Sequence, residues 1–194
     1  AVLWNQAENL LRELGALDAT SVLTTAGRSM AALGLHPRLA RLVLAARAQG
    51  PATESLAWAC AALLGDRDVL SNAASSDFRL RLGLIGALPA IPPATVAGQT
   101  NHALLQRCRE LWLRNAPAQS KPSGCEADPG PLLALAWPDR IGRRETVEKD
   151  RQNRLVAHYQ LSNGRRAILG GSDAQDPPPW LVAIDAEAGD QITT

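Results

Sequence analysis

The sequence predicts an α+β protein in which a mostly helical N-terminal part precedes a small β-rich part. Apolar residues recur at helical spacing through most of the first 115 residues. A segment rich in Pro, Gly and Ser, without any period, follows at 116–131. After it, runs of strand-forming residues flank an Asn-Gly pair, which is typical of a β-hairpin. We therefore expect a linker at 116–131 and a β domain at 132–194.

Residues 1–35 predict a small helix–strand–helix module. Apolar residues at helical spacing mark the first helix, namely Trp4, Ala7, Leu10, Leu11 and Leu14. Gly15 closes that helix, and a very short extended piece follows at 22–23. Thr24 can cap a second helix that ends at Gly34. This order of elements is the skeleton of a winged helix.

Residues 36–115 predict a helical bundle. Pro37 suits the first turn of a third helix, and Thr53 can cap a fourth. Residues 78–84 alternate between apolar and polar, yet we assign them to a helix because their neighbours are helical. A clear last helix covers 104–112.

The β-rich part begins with a short helical piece at 132–137. Its strands are predicted at 155–161, 167–169 and 180–184. Asn163 and Gly164 predict a hairpin in which both residues adopt positive φ. The acidic residues of 145–150 predict a solvated charged loop.

Composition restricts the function without choosing one. The net charge of +1 lacks the strong basic balance of many nucleic-acid-binding domains. All basic residues except Lys121 and Lys149 are Arg, which grips phosphate with two bonds, although codon usage explains the bias better. No apolar run is long enough for a membrane span, and three distant cysteines argue against a disulfide framework. We expect a cytoplasmic protein without a membrane partner.

Motifs for catalysis are missing from the sequence. It contains neither a phosphate-binding G-x-x-x-x-G-K-[ST] motif nor Asp-Glu-x-His, and its three histidines lack metal-ligand spacing. We therefore predict no catalytic residue, no metal site and no cofactor in this chain. Because it starts without Met and enters a helical pattern at once, we expect a piece of a longer protein.

Three blocks, in order, carry a family resemblance. The first, 14–42, contains Leu-Gly-Ala-Leu-Asp and His-Pro-Arg-Leu-Ala. The second, 57–70, has Ala-Ala-Leu-Leu before Asp-Arg-Asp, and the third opens with Leu-Leu-Ala-Leu-Ala-Trp-Pro-Asp-Arg-Ile at 132–141. Together they resemble the C-terminal helicase-associated region of HrpB-type DEAH-box ATP-dependent helicases. Gly34 and Arg166 depart from that family, which usually has Pro and Gly at these two positions.

The resemblance implies three modules that follow two motor domains. These are a winged helix at 1–35, a ratchet bundle at 36–115 and an OB-like β domain at 132–194, which we expect to be truncated because the chain ends before the last strands of an OB fold. In the family these modules close a channel over the motor. The implied partners are single-stranded RNA or DNA and the motor domains of the same chain, and ATP and Mg belong to the parent protein.

Seven arginines are candidate nucleic-acid contacts: Arg38, Arg41, Arg140, Arg143, Arg144, Arg165 and Arg166. The first two lie three apart on the third helix, where they can either track phosphates or cover the core. The next three lie at the mouth of the β domain, where OB folds have a basic groove, although Asp139 and Glu145 can pair with them. The last two lie at the hairpin tip. Trp137 and Trp180 are expected in the core, which favours backbone gripping over base reading.

Two other function classes stay open. A winged-helix DNA-binding regulator needs a recognition helix with base-reading side chains, and the helix at 25–33 offers only Arg28 and Ser29. A non-catalytic scaffold that docks on a partner domain through apolar faces agrees with the near-neutral charge.

Overall fold

The computed structural model describes residues 2–89, 98–118 and 128–184, and its architecture is α+β, as predicted. The helices of the described part are α1 (Val2–Glu13), α2 (Thr25–Ala32), α3 (Pro37–Arg47), α4 (Pro51–Leu64), α5 (Phe78–Ile85), α6 (His102–Asn115) and α7 (Gly130–Ala136). Its strands are β1 (Leu70–Ser71), β2 (Gln99–Thr100), β3 (Ile141–Lys149), β4 (Leu155–Leu161), β5 (Arg166–Leu169) and β6 (Trp180–Val182). Short 3-10 turns cover Pro138–Arg140 and Gly171–Gln175.

Two of the three helix starts predicted from Thr24, Pro37 and Thr53 agree with the structure. The side chain of Thr24 accepts a hydrogen bond from the Gly27 N–H, and Pro37 occupies the first turn of α3, so both predictions are confirmed. The predicted cap at Thr53 is wrong, because α4 begins at Pro51. Proline at the first helical position has its φ already set for a helix, and this starts α4 two residues earlier. The helical assignment of 78–84 is confirmed by α5.

The main core lies among α3, α4, α5, α6 and α7. Helix α4 is its centre, with every side chain from Ser55 to Leu63 buried. Helix α7 contributes Leu132, Leu133 and Ala136 to the same core, although it follows the predicted linker. The independence of 132–194 as a folding unit therefore stays a prediction, while the packing is continuous across 131. In the described part, no helix combines the length and apolarity needed to cross a membrane.

A second, smaller cluster fastens the first two helices to α3. It consists of Leu14, Ala16, Met30 and Ala40, with Leu10 and Leu11 packed against it. The first turns of α1 extend beyond this cluster, so that Leu3 and Trp4 are exposed. The strongest anchoring of 1–35 is thus through the C-terminal end of α1 and the inner face of α2.

The four-stranded antiparallel sheet has the order β5-β4-β3-β6. Its inner face is a separate cluster of Ala157, Tyr159, Leu161, Ala167, Leu169 and Ala183. The predicted charged loop at 145–150 is wrong, because most of it belongs to β3. Only Gly142 of β3 is buried, so the strand lacks the alternating apolar pattern that sequence reasoning relies on. A Cβ at Gly142 would lie 3.0 Å from Leu161 Cδ2 and 3.1 Å from Leu181 Cδ1, so any larger residue there would push these side chains aside.

The predicted hairpin between β4 and β5 is confirmed, but its turn differs. Gly164 has a positive φ of 82°, whereas Asn163 does not. The Gly164 N–H donates to the Leu161 carbonyl over 3.0 Å, and the Leu161 N–H donates to the Arg165 carbonyl. This is a three-residue loop in which a four-residue turn is followed by one left-handed glycine, so only one residue needs positive φ.

Candidate nucleic-acid interface

Arg38 lies in the first turn of α3 and is almost completely buried, with 8% of its surface exposed. Its guanidinium donates to both carboxylate oxygens of Asp139, at 2.6 and 2.9 Å, and to the carbonyl of Ala136 at 2.8 Å. It also lies 5.8 Å from the centre of the Trp137 ring. The fork that would grip a phosphate therefore holds a carboxylate of the same chain.

Asp139 connects three parts of the fold. Burial acts to raise the pKa of its carboxyl, but the hydrogen bonds and charge of Arg38 outweigh burial, so the pKa lies below its ordinary value. The backbone carbonyl of Asp139 accepts a hydrogen bond of 3.1 Å from the Asn163 N–H. This one residue joins α3, the 3-10 turn that precedes the sheet and the tip of the hairpin.

Arg140 and Arg144 hold the segment that contains β6. Arg140 donates to the carbonyl of Ile184 at 3.0 Å. Its Nε atom also lies 3.8 Å from Asp139 Oδ2, which is the ion pair that the sequence offered as the alternative to phosphate binding. Arg144 donates to the carbonyl of Pro177. Both guanidinium groups thus have partners in the chain itself.

Arg41 and Arg165 are more available. Arg41 is half-buried on α3, and Arg165 is exposed beside the hairpin turn. Within the described ranges, neither side chain has a hydrogen bond or ion pair. The same ranges contain no group of three His, Cys, Asp or Glu side chains placed to hold a metal ion.

The outer face of the sheet carries a continuous row of four side chains. In the strand register, Arg143 of β3 lies opposite both Gln160 of β4 and Trp180 of β6, and Gln160 lies opposite Arg166 of β5. Directly opposed residues share a face. Since the inner face contains Tyr159 and Leu161, this row of Arg166, Gln160, Arg143 and Trp180 faces outward. We call these four residues the outer row.

The outer row is accessible. Trp180 is 60% exposed, so its predicted place in the core is wrong, whereas Trp137 at 6% exposure is buried as predicted. Arg143 is exposed without a partner in the described part of the chain. Arg166 lies 3.8 Å from Glu145, and its side chain is 74% exposed, so the pair is weak and leaves the guanidinium open.

The structure therefore divides the predicted arginines. It places Arg143 and Arg166 in one row on the outer face, on either side of Gln160. The others lie elsewhere: Arg38 and Arg41 on α3, Arg140 in the 3-10 turn before β3, Arg144 on β3 against the segment before β6, and Arg165 beside the hairpin turn. Sequence reasoning missed Gln160 and Trp180 as members of the row. The predicted two-residue turn would have placed Gln160 opposite Ala167, so the observed pairing with Arg166 follows only from the three-residue loop. No signal in the sequence pairs Trp180 with Arg143, since β3 itself was not predicted.

Relatives of the chain are found among helicases. No family model matches the sequence. The ATP-dependent RNA helicase HrpB of Escherichia coli (strain K12) is 35% identical over 177 residues, which cover 91% of this chain and 18% of that protein. The predicted resemblance to HrpB-type DEAH-box helicases is confirmed.

Solved structures agree with that assignment. A crystal structure of the Escherichia coli DEAH/RHA helicase HrpB matches with a TM-score of 0.59 and 30% identity, covering 94% of this chain and 19% of that chain. A crystal structure of the E. coli DExH-box NTPase HrpB matches with a TM-score of 0.60 and 30% identity, covering 96% and 20%. The chain thus spans about a fifth of the length of the HrpB proteins that it matches.

Proposed function

We propose that this chain is an accessory region of an ATP-dependent RNA or DNA helicase and that it holds a single strand beside the motor domains. Its modules are a winged helix at 1–35, a ratchet bundle at 36–115 and an OB-like domain at 132–194. The similarity to HrpB along 91% of the chain is the observation that carries the proposal. The exposed arginines of the outer row support it.

The proposed task is mechanical, and it involves no bond making in this region. Arg143 and Arg166 contact phosphates, with Arg41 and Arg165 as further contacts. Arg38, Arg140 and Arg144 act as internal supports of the surface. ATP and Mg are held by the motor domains of the whole protein, whose nucleotide hydrolysis moves the strand that this region retains.

The two alternatives are less favoured by the contacts. Arg28, the one basic residue of α2, donates to the Leu23 carbonyl at 3.0 Å and to Thr25 Oγ1 at 3.3 Å, so it is bound to its own module and does not extend toward a base. The exposed Leu3 and Trp4 of α1 would suit a docking scaffold. An accessory region that packs on a motor needs such a face too, so this feature does not separate the two functions.

The salt dependence of binding tests the proposal. A labelled single-stranded RNA of mixed sequence is titrated with the wild type and with Arg143→Glu/Arg166→Glu at several salt concentrations. Loss of a phosphate contact should lower the slope of log affinity against log salt by about 0.7 for each arginine. Arg114→Glu, an exposed residue of α6, is the matched control and should change the slope less. A wild type that binds no single strand even at low salt would refute the proposed function.

A further inference from the structure

We infer that Trp180 is a stacking platform for one unpaired base of the strand whose phosphates contact Arg143 and Arg166. This inference rests on the proposed function and adds to it the place and the manner of contact. Neighbouring strands of a sheet lie about 4.8 Å apart, so the outer row extends over roughly 14 Å from β5 to β6. A few nucleotides of a single strand can follow it.

Trp180 is far more exposed than the tryptophans of the core. Trp58, Trp112 and Trp137 are buried, with exposures of 7%, 2% and 6%, while Trp180 is 60% exposed on an edge strand. An indole that is left in water beside an arginine offers a π-face to a base, and the arginine offers charge to the adjoining phosphate. Trp4 is also exposed, but it lies on α1, away from the row.

The backbone that leads into Trp180 is fixed to the sheet. The residues just before Trp180 are held to the sheet by three bonds. The Arg144 N–H donates to the Pro179 carbonyl at 3.0 Å, the Tyr159 hydroxyl donates to the Pro178 carbonyl at 2.7 Å, and the Arg144 guanidinium donates to the Pro177 carbonyl. A surface that is ordered before binding loses less entropy when a ligand arrives.

The charges around Trp180 determine on which side of the indole the nucleic-acid backbone lies. Trp180 also borders a groove between α7 and β6 whose lining includes Asp128, Asp173 and Asp176. Arg79 lines it too, but its charge is paired with that of Asp77, so the groove is acidic on balance. Phosphates are repelled there and attracted toward Arg143. The nucleic-acid backbone therefore runs along the outer row, and the base alone lies against the indole.

The contact should be blind to sequence but sensitive to pairing. Every base has a π-face, so stacking does not select among bases. Gln160, the polar member of the row, directs its amide to the carbonyls of Leu161 and Arg165 in its own hairpin, at 3.4 and 3.3 Å. Bases of a duplex are already stacked and paired, so the platform favours single strands.

The test uses the whole 194-residue chain and two labelled RNA strands of about 12 nucleotides, a length that falls within the OB-fold range. One strand is normal and the other consists of abasic residues. Trp180→Ala should weaken binding of the normal strand about 10-fold and leave binding of the abasic strand unchanged. Trp180→Phe should keep most of the affinity, because the phenyl ring still stacks. Trp4→Ala is the matched control and should alter neither.

Two kinds of result would overturn the stacking inference. Equal losses for both strands, or no loss for either, would refute the inference and make Trp180 a structural or protein-docking residue, even if Arg143→Glu still weakened binding. A wild type that binds neither strand would refute the proposed function and the inference with it. Thermal unfolding of each variant checks that Trp180→Ala keeps its fold, and the abasic strand provides the comparison if its stability changes.

Discussion

The junction between α3 and the sheet and the outer face of the sheet both carry arginines, and they use them in opposite ways. At the junction, Arg38 has a carboxylate and a carbonyl within 2.9 Å and is 8% exposed. On the outer face, Arg143 has no partner in the described residues, and Arg166 has a distant one. The residue type is the same, so the neighbours that the fold supplies decide whether an arginine holds the protein together or is available to a ligand.

Removing the junction arginine should have the largest effect. Arg38→Ala leaves the Asp139 carboxylate, which is 22% exposed, with only the more distant Arg140 beside it at 3.8 Å. We expect a loss of about 3 kcal/mol in the free energy of unfolding. Urea unfolding measures it. Arg41→Ala, one turn along α3, should cost less than about 0.5 kcal/mol. Equal costs for the two variants would mean that the junction is no more than another surface contact.

Acid should weaken the junction selectively. The pKa of Asp139 is lower in the folded than in the unfolded protein, so its contribution is complete above the ordinary carboxyl pKa and is lost as the pH falls through the folded value, below about pH 4. Asp139→Asn removes that contribution, which we expect to be about 1–2 kcal/mol at pH 7. The gap between the unfolding free energies of wild type and variant should close as the pH falls.

Two other carboxyls have to be separated from this effect. The pKa of Asp18 is lowered first by the Thr20 side chain, and that of Asp150 first by the backbone N–H of Arg154. Both are unchanged in Asp139→Asn, so only the difference between wild type and variant reports on the junction. A gap that is independent of pH would contradict the pairing of Asp139 with Arg38.

The hairpin tip lies between the two regions, and replacing its glycine should have an intermediate effect on the free energy of unfolding. Gly164→Ala places a Cβ on a residue with a φ of 82°, which should cost about 1 kcal/mol. Gly170→Ala is the control, because its φ is −118° and no atom lies within 4 Å of the added Cβ. Thermal unfolding should distinguish them. A neutral Gly164→Ala would show that the tip relaxes without disturbing the sheet.

The smallest expected effect concerns the loose pair on the outer face. Glu145→Gln frees Arg166 from a carboxylate 3.8 Å away and should tighten single-strand binding by about 2-fold, in line with the low energy of surface pairs. Glu148→Gln removes the same charge, but the Glu148 carboxylate lies 3.0 Å from the Nε2 atom of His158. Titrations in parallel should show the larger gain for Glu145→Gln. Identical gains would assign the effect to net charge alone.

The helices could be predicted because their signals are local. Thr24 and Pro37 mark helix starts through chemistry that acts within one turn, and α5 followed from its neighbours despite an alternating pattern. Thr53 failed as a cap because an equally local signal, Pro51, came first. The helical framework was therefore largely accessible from the sequence.

The candidate site was less accessible because it depends on pairing over long distances in the chain. Strand β3 has almost no buried side chain, so its sequence lacks the alternation of apolar and polar residues that predicts a strand. Without β3, Trp180 could not be placed beside Arg143 and was expected in the core. Arg38 and Asp139 are separated by 101 positions, which no periodicity connects. The arginines could be named from the sequence, but which of them are bonded within the chain and which are exposed depends on the fold.

Asp139 joins the sheet to the helical part of the molecule. Its carboxylate is bonded to Arg38 on α3, and its carbonyl accepts a hydrogen bond from Asn163 at the hairpin that leads into β5. Val182 of β6 and Ile184 also pack against the helical core. Under the proposed function, a load on a nucleic-acid strand at the outer row would therefore be shared between the sheet and the helices.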